Sequence, residues 1–247
     1  MIEIEICINS DTSASLSDNV KKARRGGAAR IELCGAMHFD GLTPTPEQIK
    51  VARAAFANVH GLMVMVRPRG GDFNFSQQEI ELMLRQIDSA AENGANGVVV
   101  GVLRAEDSCI DMPALRRIVH EAVNWGLSVT FHRAFDATPD PMRSLDELMD
   151  AGVHRVLTSG VGWGESGGAV EGISQLQKIA ARATNIEIVI GGGIFPGNAK
   201  KIIENIMTPD RKISLHAYSG VLVGDSVSEN AVLELVEAGS NSLTSFA

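Results

Sequence analysis

The sequence predicts an α/β fold, a single (β/α)8 TIM-like barrel over residues 1–247. Three observations carry this expectation. Strand patterns and helix patterns alternate from end to end, eight of each. The length suits one barrel, since such barrels run to about 250 residues. Polar side chains gather where apolar strands end, which is where a barrel places its chemistry. A doubly wound open sheet is the alternative, but it more often has fewer strands or an appended domain.

The first strand, Ile2 to Ile8, alternates strictly, with Glu3, Glu5 and Cys7 on one face and isoleucines on the other. Side chains alternate faces along a strand, so the two faces meet different surroundings. An amphipathic stretch from Ala14 ends in Lys21-Lys22-Ala23-Arg24-Arg25, cations that suit a helix C-terminus. The second strand, Arg30 to Cys34, sets Arg30, Glu32 and Cys34 opposite Ile31 and Leu33, and a helix from Pro46 to Ala57 follows. The third, Leu62 to Arg67, is halted by Pro68, which offers no donor. Gly70 and Gly71 then permit a tight turn to Asp72.

Ser76 with Glu79 forms a capping box for a helix from Gln77 to Asn93, which Gly94 stops. The strand Gly97–Val102 and helix Pro113–Asn124 lead to the strand Leu127–His132, where Ser128, Thr130 and His132 oppose Val129 and Phe131. The helix Met142–Asp150, the strand Val153–Ser159, the helix Gly172–Ala183 and the strand Ile186–Gly191 come next. A helix from Asn198 to Met207, a strand from Lys212 to His216 and a helix from Glu229 to Ala238 complete the series. The aliphatic faces should pack on the helices and the polar faces should point into the lumen. Glu3, Glu5, Arg30, Glu32, Glu187 and Lys212 then share the interior, where charges must pair. For all but Glu32 this reads as a structural network.

The net charge is −8 with one short basic run, which argues against a nucleic-acid-binding surface. No apolar run approaches the roughly 20 residues that span a bilayer, and the first residues enter a strand without a signal-peptide pattern. Three cysteines, Cys7, Cys34 and Cys109, make no disulfide framework. The expected setting is the reducing cytoplasm.

Around the C-terminal ends of the strands stand Cys7, Cys34, Arg67 with Arg69 and Asp72, His132 with Arg133 and Asp136, Ser159, Gly191-Gly192-Gly193 and His216. A basic cluster on an acidic protein attracts a small anion. Arg67, Arg69, Asp72, Arg133, Ser159, the three glycines and His216 are its expected binders. The glycine run leads into Pro196-Gly197-Asn198 and a helix, the usual phosphate cradle of barrels. Plainer readings exist: one arginine pairs with Asp72 to brace its loop, and the glycines make only a turn. His132, Asp136 and Glu32 are the catalytic candidates. An imidazole moves protons near neutral pH, Asp136 would orient a histidine or an arginine, and Glu32 is a second base if linked to solvent. A strand-end histidine is also an ordinary hydrogen-bonded structural residue. The glycine-rich stretch 161–168, with Trp163, reads as a lid over the rim.

Cys7 and Cys34 end adjacent strands on the inward face, so their sulfurs should approach. Soft thiolates, with the thioethers of Met63 or Met65, suit Cu(I). They are a poor match to zinc, which usually takes four ligands. Two small buried hydrophobes beside core methionines is the alternative.

Several segments together resemble the CutC family, barrel proteins labelled as copper homeostasis proteins. They are Glu5-Ile6-Cys7, Ala29 to Cys34, Gly41-Leu42-Thr43-Pro44, Arg67 to Phe73, Thr130 to Asp136, Arg155 to Gly160 and Gly191 to Gly193. The resemblance covers residues 2 to about 217. It implies a cytoplasmic TIM-like barrel, a homo-oligomer, and a copper-associated role with Cys7 and Cys34 at the positions of the family's proposed Cu(I) ligands. The alternative function is an enzyme acting on a small anionic or phosphorylated substrate at the Arg/His rim. After strand eight the chain departs from the family pattern, with a shorter segment beyond residue 217.

Overall fold

Eight parallel strands close into a barrel in chain order, the last pairing back to the first. They are β1 (Glu3–Asn9), β2 (Arg30–Cys34), β3 (Leu62–Met65), β4 (Gly97–Val100), β5 (Ser128–Phe131), β6 (Arg155–Thr158), β7 (Glu187–Ile190) and β8 (Ile213–Ala217). The helices are α1 (Leu16–Arg25), α2 (Pro46–Phe56), α3 (Gln77–Glu92), α4 (Met112–Asn124), α5 (Pro141–Asp150), α6 (Ile173–Arg182), α7 (Pro196–Ile206) and α8 (Glu229–Asn241). The structure is a computed structural model that describes residues 2–11, 15–57, 60–208 and 210–241. The expected first residue of α1, Ala14, lies outside them.

Local chemistry sets the boundaries. Ser76 Oγ accepts from the Glu79 N–H while Glu79 Oε2 accepts from the Ser76 N–H, the reciprocal box expected at α3. Thr45 and Gln48 make the same box at α2, a signal not drawn from the sequence. β3 ends two residues before Arg67, the expected end. The Arg67 N–H turns away to Thr43 Oγ1 at 2.8 Å instead of continuing the ladder. Short 3-10 turns at Met37–Phe39, Arg133–Ala137 and Ser219–Val221 were not foreseen.

The alternation sorts the strands as expected. Ile4, Ile6, Ile8, Ile31 and Leu33 are buried in the main apolar cluster with the helices. Cys7, Cys34, Met63, Met65 and Val99 form a separate cluster. In the lower lumen Arg30 donates to three carboxylates: Glu3, Glu5 at 3.0 Å and Glu187 at 2.5 Å. Arg155 adds a bond to Glu5 at 3.2 Å, and Ser214 donates to Glu187 at 2.6 Å. Burial works against the Arg30 charge, but the adjacent carboxylates overrule it and raise its pKa. Lys212 does not join this network: it precedes β8, is exposed, and stands at the lower mouth.

The short segment after β8 still completes the ring. A small antiparallel pair, Leu222–Val223 with Ser226–Val227, is pinned by Asn19 of α1, whose Oδ1 accepts from the Val227 N–H at 3.0 Å. α8 then packs against β1, α1 and α7.

Glu5 is 1% exposed, so removing its partner leaves buried charge. Arg30→Ala is expected to lower the unfolding free energy by about 3–5 kcal/mol. Urea unfolding measures this, and a loss below about 1 kcal/mol would show that the network is dispensable.

Candidate functional site

A cavity of about 260 Å3 opens at the C-terminal mouth of the barrel. Its floor is made by the lumen-facing residues of β1, β2 and β8. Cys7 lies opposite Glu32 in the β1–β2 register, and Asn9 opposite Cys34. The two cysteines therefore fall on the same inward face of neighbouring strands, with sulfurs 3.9 Å apart. Glu32 accepts from His216 Nε2 through Oε2 at 2.7 Å. Its other oxygen, Oε1, has no hydrogen-bond partner among the described residues. Ligand atoms of Cys7, Glu32 and Cys34 all lie within 4.8 Å of one another.

This floor fixes proton positions. Burial opposes the charge on His216, yet the Glu32 carboxylate raises its pKa well above the ordinary value. Burial likewise pushes Glu32 up, but His216 beside it holds the carboxyl below its usual value. The pair is therefore imidazolium and carboxylate. The contact with Cys7, then burial, raises the Cys34 thiol well above the ordinary thiol range.

The roof comes from β3, β5 and the loops after them. Arg67 is buried and ties down two loops. Its Nη1 donates to the carbonyl of Phe39 at 2.8 Å and its Nη2 to that of Gly71 at 2.8 Å. Its Nε–H has no partner among the described residues, and its guanidinium lies 5.0 Å from the Phe73 ring. His132 accepts from the Ala134 N–H through Nδ1 at 3.0 Å, so its proton sits on Nε2, which has no partner among the described residues. Gly101 makes room for this ring, because a Cβ there would lie 2.2 Å from His132 Cε1. Burial, helped by Arg67, depresses the His132 pKa to about 3, so His132 is neutral where His216 is charged.

The structure divides the expected site residues. Cys7, Cys34, Glu32, Arg67, His132, Arg133, Gly192, Gly193 and His216 border one cavity. Arg69 and Asp72 do not. Arg69 binds Asp72 at 2.9 Å and Glu79 at 2.7 Å and stacks on Phe75, so it braces its loop. Asp136 and Ser159 lie behind the wall. Asp136 accepts from Arg133 Nε at 2.8 Å, from Ser159 N and Oγ at 3.1 Å and from Thr158 Oγ1. It therefore orients an arginine and not a histidine. Gly191 is outside the lining as well, and a Cβ there would strike Leu157. Trp163 stands at the mouth with its ring 5.2 Å from Phe73 and 5.3 Å from the Arg133 guanidinium.

Tyr218, Ser219, Phe73, Met37 and Asp40 also line the cavity and were not singled out. Tyr218 and Ser219 directly follow β8, a position that flags them. Met37 and Asp40 reach the cavity through a 3-10 turn flanked by left-handed residues, Ala36 at φ 45° and Asp40 at φ 61°. Sequence pattern does not signal such a turn.

The CutC family model matches residues 2–216. A CutC family protein of Pasteurella multocida is 38% identical over 218 residues, 88% of this chain and 83% of that protein. The human copper homeostasis protein cutC homolog is 39% identical over 202 residues, 81% and 68% of the respective chains. A crystal structure of CutC from Streptococcus agalactiae aligns with a TM-score of 0.75 at 30% identity, covering 87% of this chain and 98% of that one.

The proton state of His132 has a measurable cost. Its folded pKa of about 3 lies below the ordinary 6.5, so the unfolded state binds the proton first as pH falls. The stability it contributes is present above pH 6.5 and is lost toward pH 3. Between pH 6.5 and pH 4 the loss attributable to this group is about 3 kcal/mol. Chemical unfolding at the two pH values should show His132→Gln less acid-sensitive by about that amount. Equal sensitivity in both proteins would rule the assignment out.

Proposed function

This chain belongs to the CutC family of copper homeostasis proteins, and from that premise we propose that it holds one Cu(I) ion between Cys7 and Cys34. The carrying observation is the 3.9 Å separation of the two sulfurs. With metal–sulfur bonds of about 2.3 Å, that spacing corresponds to an angle of about 115° at one shared ion. The donor set fits a soft monovalent cation. Two sulfurs face each other, and Met65 and Met37 add thioethers to the same cluster. The Glu32 carboxylate, with one oxygen within 4.8 Å of both sulfurs, adds a further oxygen ligand to the group. Copper is here the cargo of the protein, taken up by exchange of thiol protons for the ion.

The same reading calls for a reducing compartment, the cytoplasm, because all three cysteines are free thiols. No helix among the described residues is long and apolar enough to cross a membrane.

Anaerobic titration of the reduced protein with Cu(I) against a competing chelator tests the proposal. We expect about one equivalent of tight binding, lost in the Cys7→Ser/Cys34→Ser double variant. Affinity should also rise with pH, because the ion competes with protons for the sulfurs. Binding that is unchanged in the double variant would make these cysteines core residues.

A further inference from the structure

The copper reading uses the floor of the cavity and leaves its roof and far wall without a role. We propose that this upper part binds a small phosphorylated molecule, its phosphate on the backbone N–H groups of Gly192, Gly193 and Ile194 and its other polar end on Arg67 and His132.

The phosphate end rests on backbone geometry. Gly192 and Gly193 are consecutive left-handed residues, at φ +92° and +76°, with one residue between them and the end of β7. Among the described residues the N–H groups of Gly192, Gly193 and Ile194 have no hydrogen-bond partner. The carbonyls of Gly192 and Gly193 are occupied: Gly192 O accepts from the Ala169 N–H at 2.9 Å, and Gly193 O from Asn198 Nδ2 at 2.8 Å. Successive amides in such a turn form a concavity that suits an anion. The eleven-residue helix α7 starts two residues later and adds its positive end. Ser219, after β8, borders the same cavity. These are the two loops where barrels most often hold phosphate.

A second, independent observation comes from the opposite wall. Arg67 and His132 are 2% and 5% exposed, border the same cavity, and each keeps one N–H without a partner. Buried donors are rarely left unmade without reason. Both are donors, so they call for oxygen: a carbonyl, a hydroxyl or a carboxylate. The neutral state of His132 fits this, since its free nitrogen donates without adding charge. Phe73, Leu157 and Trp163 give the same cavity apolar wall. Pockets for drug-sized ligands span roughly 300–1,000 Å3, so a cavity of about 260 Å3 takes a molecule of few carbons. The ligand class is therefore a short oxo- or hydroxy-compound carrying one phosphate. None of this depends on the cysteines.

The test uses 15N-labelled, reduced, metal-free protein titrated first with inorganic phosphate and then with dihydroxyacetone phosphate. The amide resonances of Gly192, Gly193 and Ile194 are expected to move saturably with both. Dihydroxyacetone phosphate should bind at least about tenfold more tightly, because only it reaches Arg67 and His132. His132→Gln should remove that advantage while leaving inorganic phosphate binding unchanged. The Cys7→Ser/Cys34→Ser variant should bind both probes normally, which separates this site from the copper reading. The phosphate titrations use the unaltered chain and do not depend on any variant folding. Amides that stay still, or shifts confined to surface lysines, overturn the proposal. So does a dihydroxyacetone phosphate affinity no better than that of inorganic phosphate.

Discussion

Arg30 bonded to three carboxylates is the contact on which the barrel depends. A lumen lined with charge is tolerable only when every charge has a partner at bonding distance. Glu3 and Glu5 come from β1, Arg30 from β2 and Glu187 from β7, so one guanidinium ties three strands around the closing seam. A slip of one residue in β1 would turn Glu5 toward the helices and an isoleucine toward Arg30, reversing every side chain of the strand. The network therefore fixes register as well as closure. The floor of the upper cavity inherits that register, because Cys7 stands two residues beyond Glu5 and Glu32 two beyond Arg30.

Above this layer the lumen holds two histidines in opposite proton states. His216 faces a carboxylate at 2.7 Å and carries charge. His132 accepts from a backbone N–H, has Arg67 nearby and is neutral. Their chemistry differs although both end strands on the inward face. Environment assigns the role here, not residue type.

That difference marks the limit of what pattern discloses. The period-two alternation of Glu3, Glu5 and Cys7, and of Arg30, Glu32 and Cys34, is enough to place the strands, their inward faces and the nearness of the two sulfurs. Strand ends place Arg67, His132, Arg133 and His216 around one mouth. Alternation is silent beyond the last strand residue, where the backbone turns. Arg67 and Arg69 look equivalent in the sequence, yet the first is swallowed by loop carbonyls and the second is spent on Asp72 and Glu79. Asp136 was legible as an orienting group, but only the 3-10 turn after β5 decides that it holds Arg133. Met37 and Asp40 depend on two left-handed residues that are not glycine, so no sequence rule points to them.

The cavity is chemically divided, and if both proposed ligands bind, the division couples its two halves. Sulfur lies on the floor between β1 and β2, while N–H donors stand on the roof and on the loop after β7. Charges on the floor and above it would interact more strongly in an enclosed space of low dielectric than in water. Phe73 and Trp163 help provide that enclosure by packing edge to face across the mouth. Coupling of this kind is reciprocal: whatever factor the anion adds to the affinity for the cation, the cation adds to the affinity for the anion. The imidazolium of His216 already neutralises Glu32, and coordination deprotonates both thiols, so one bound monovalent cation would leave the floor one unit more negative. An anion on the roof and the ion at the sulfurs would then oppose each other, each lowering the affinity for the other by the same factor. If both proposals hold, such a barrel would separate its two ligands by hardness, sulfur for the soft ion and N–H for the hard one, within a single enclosure.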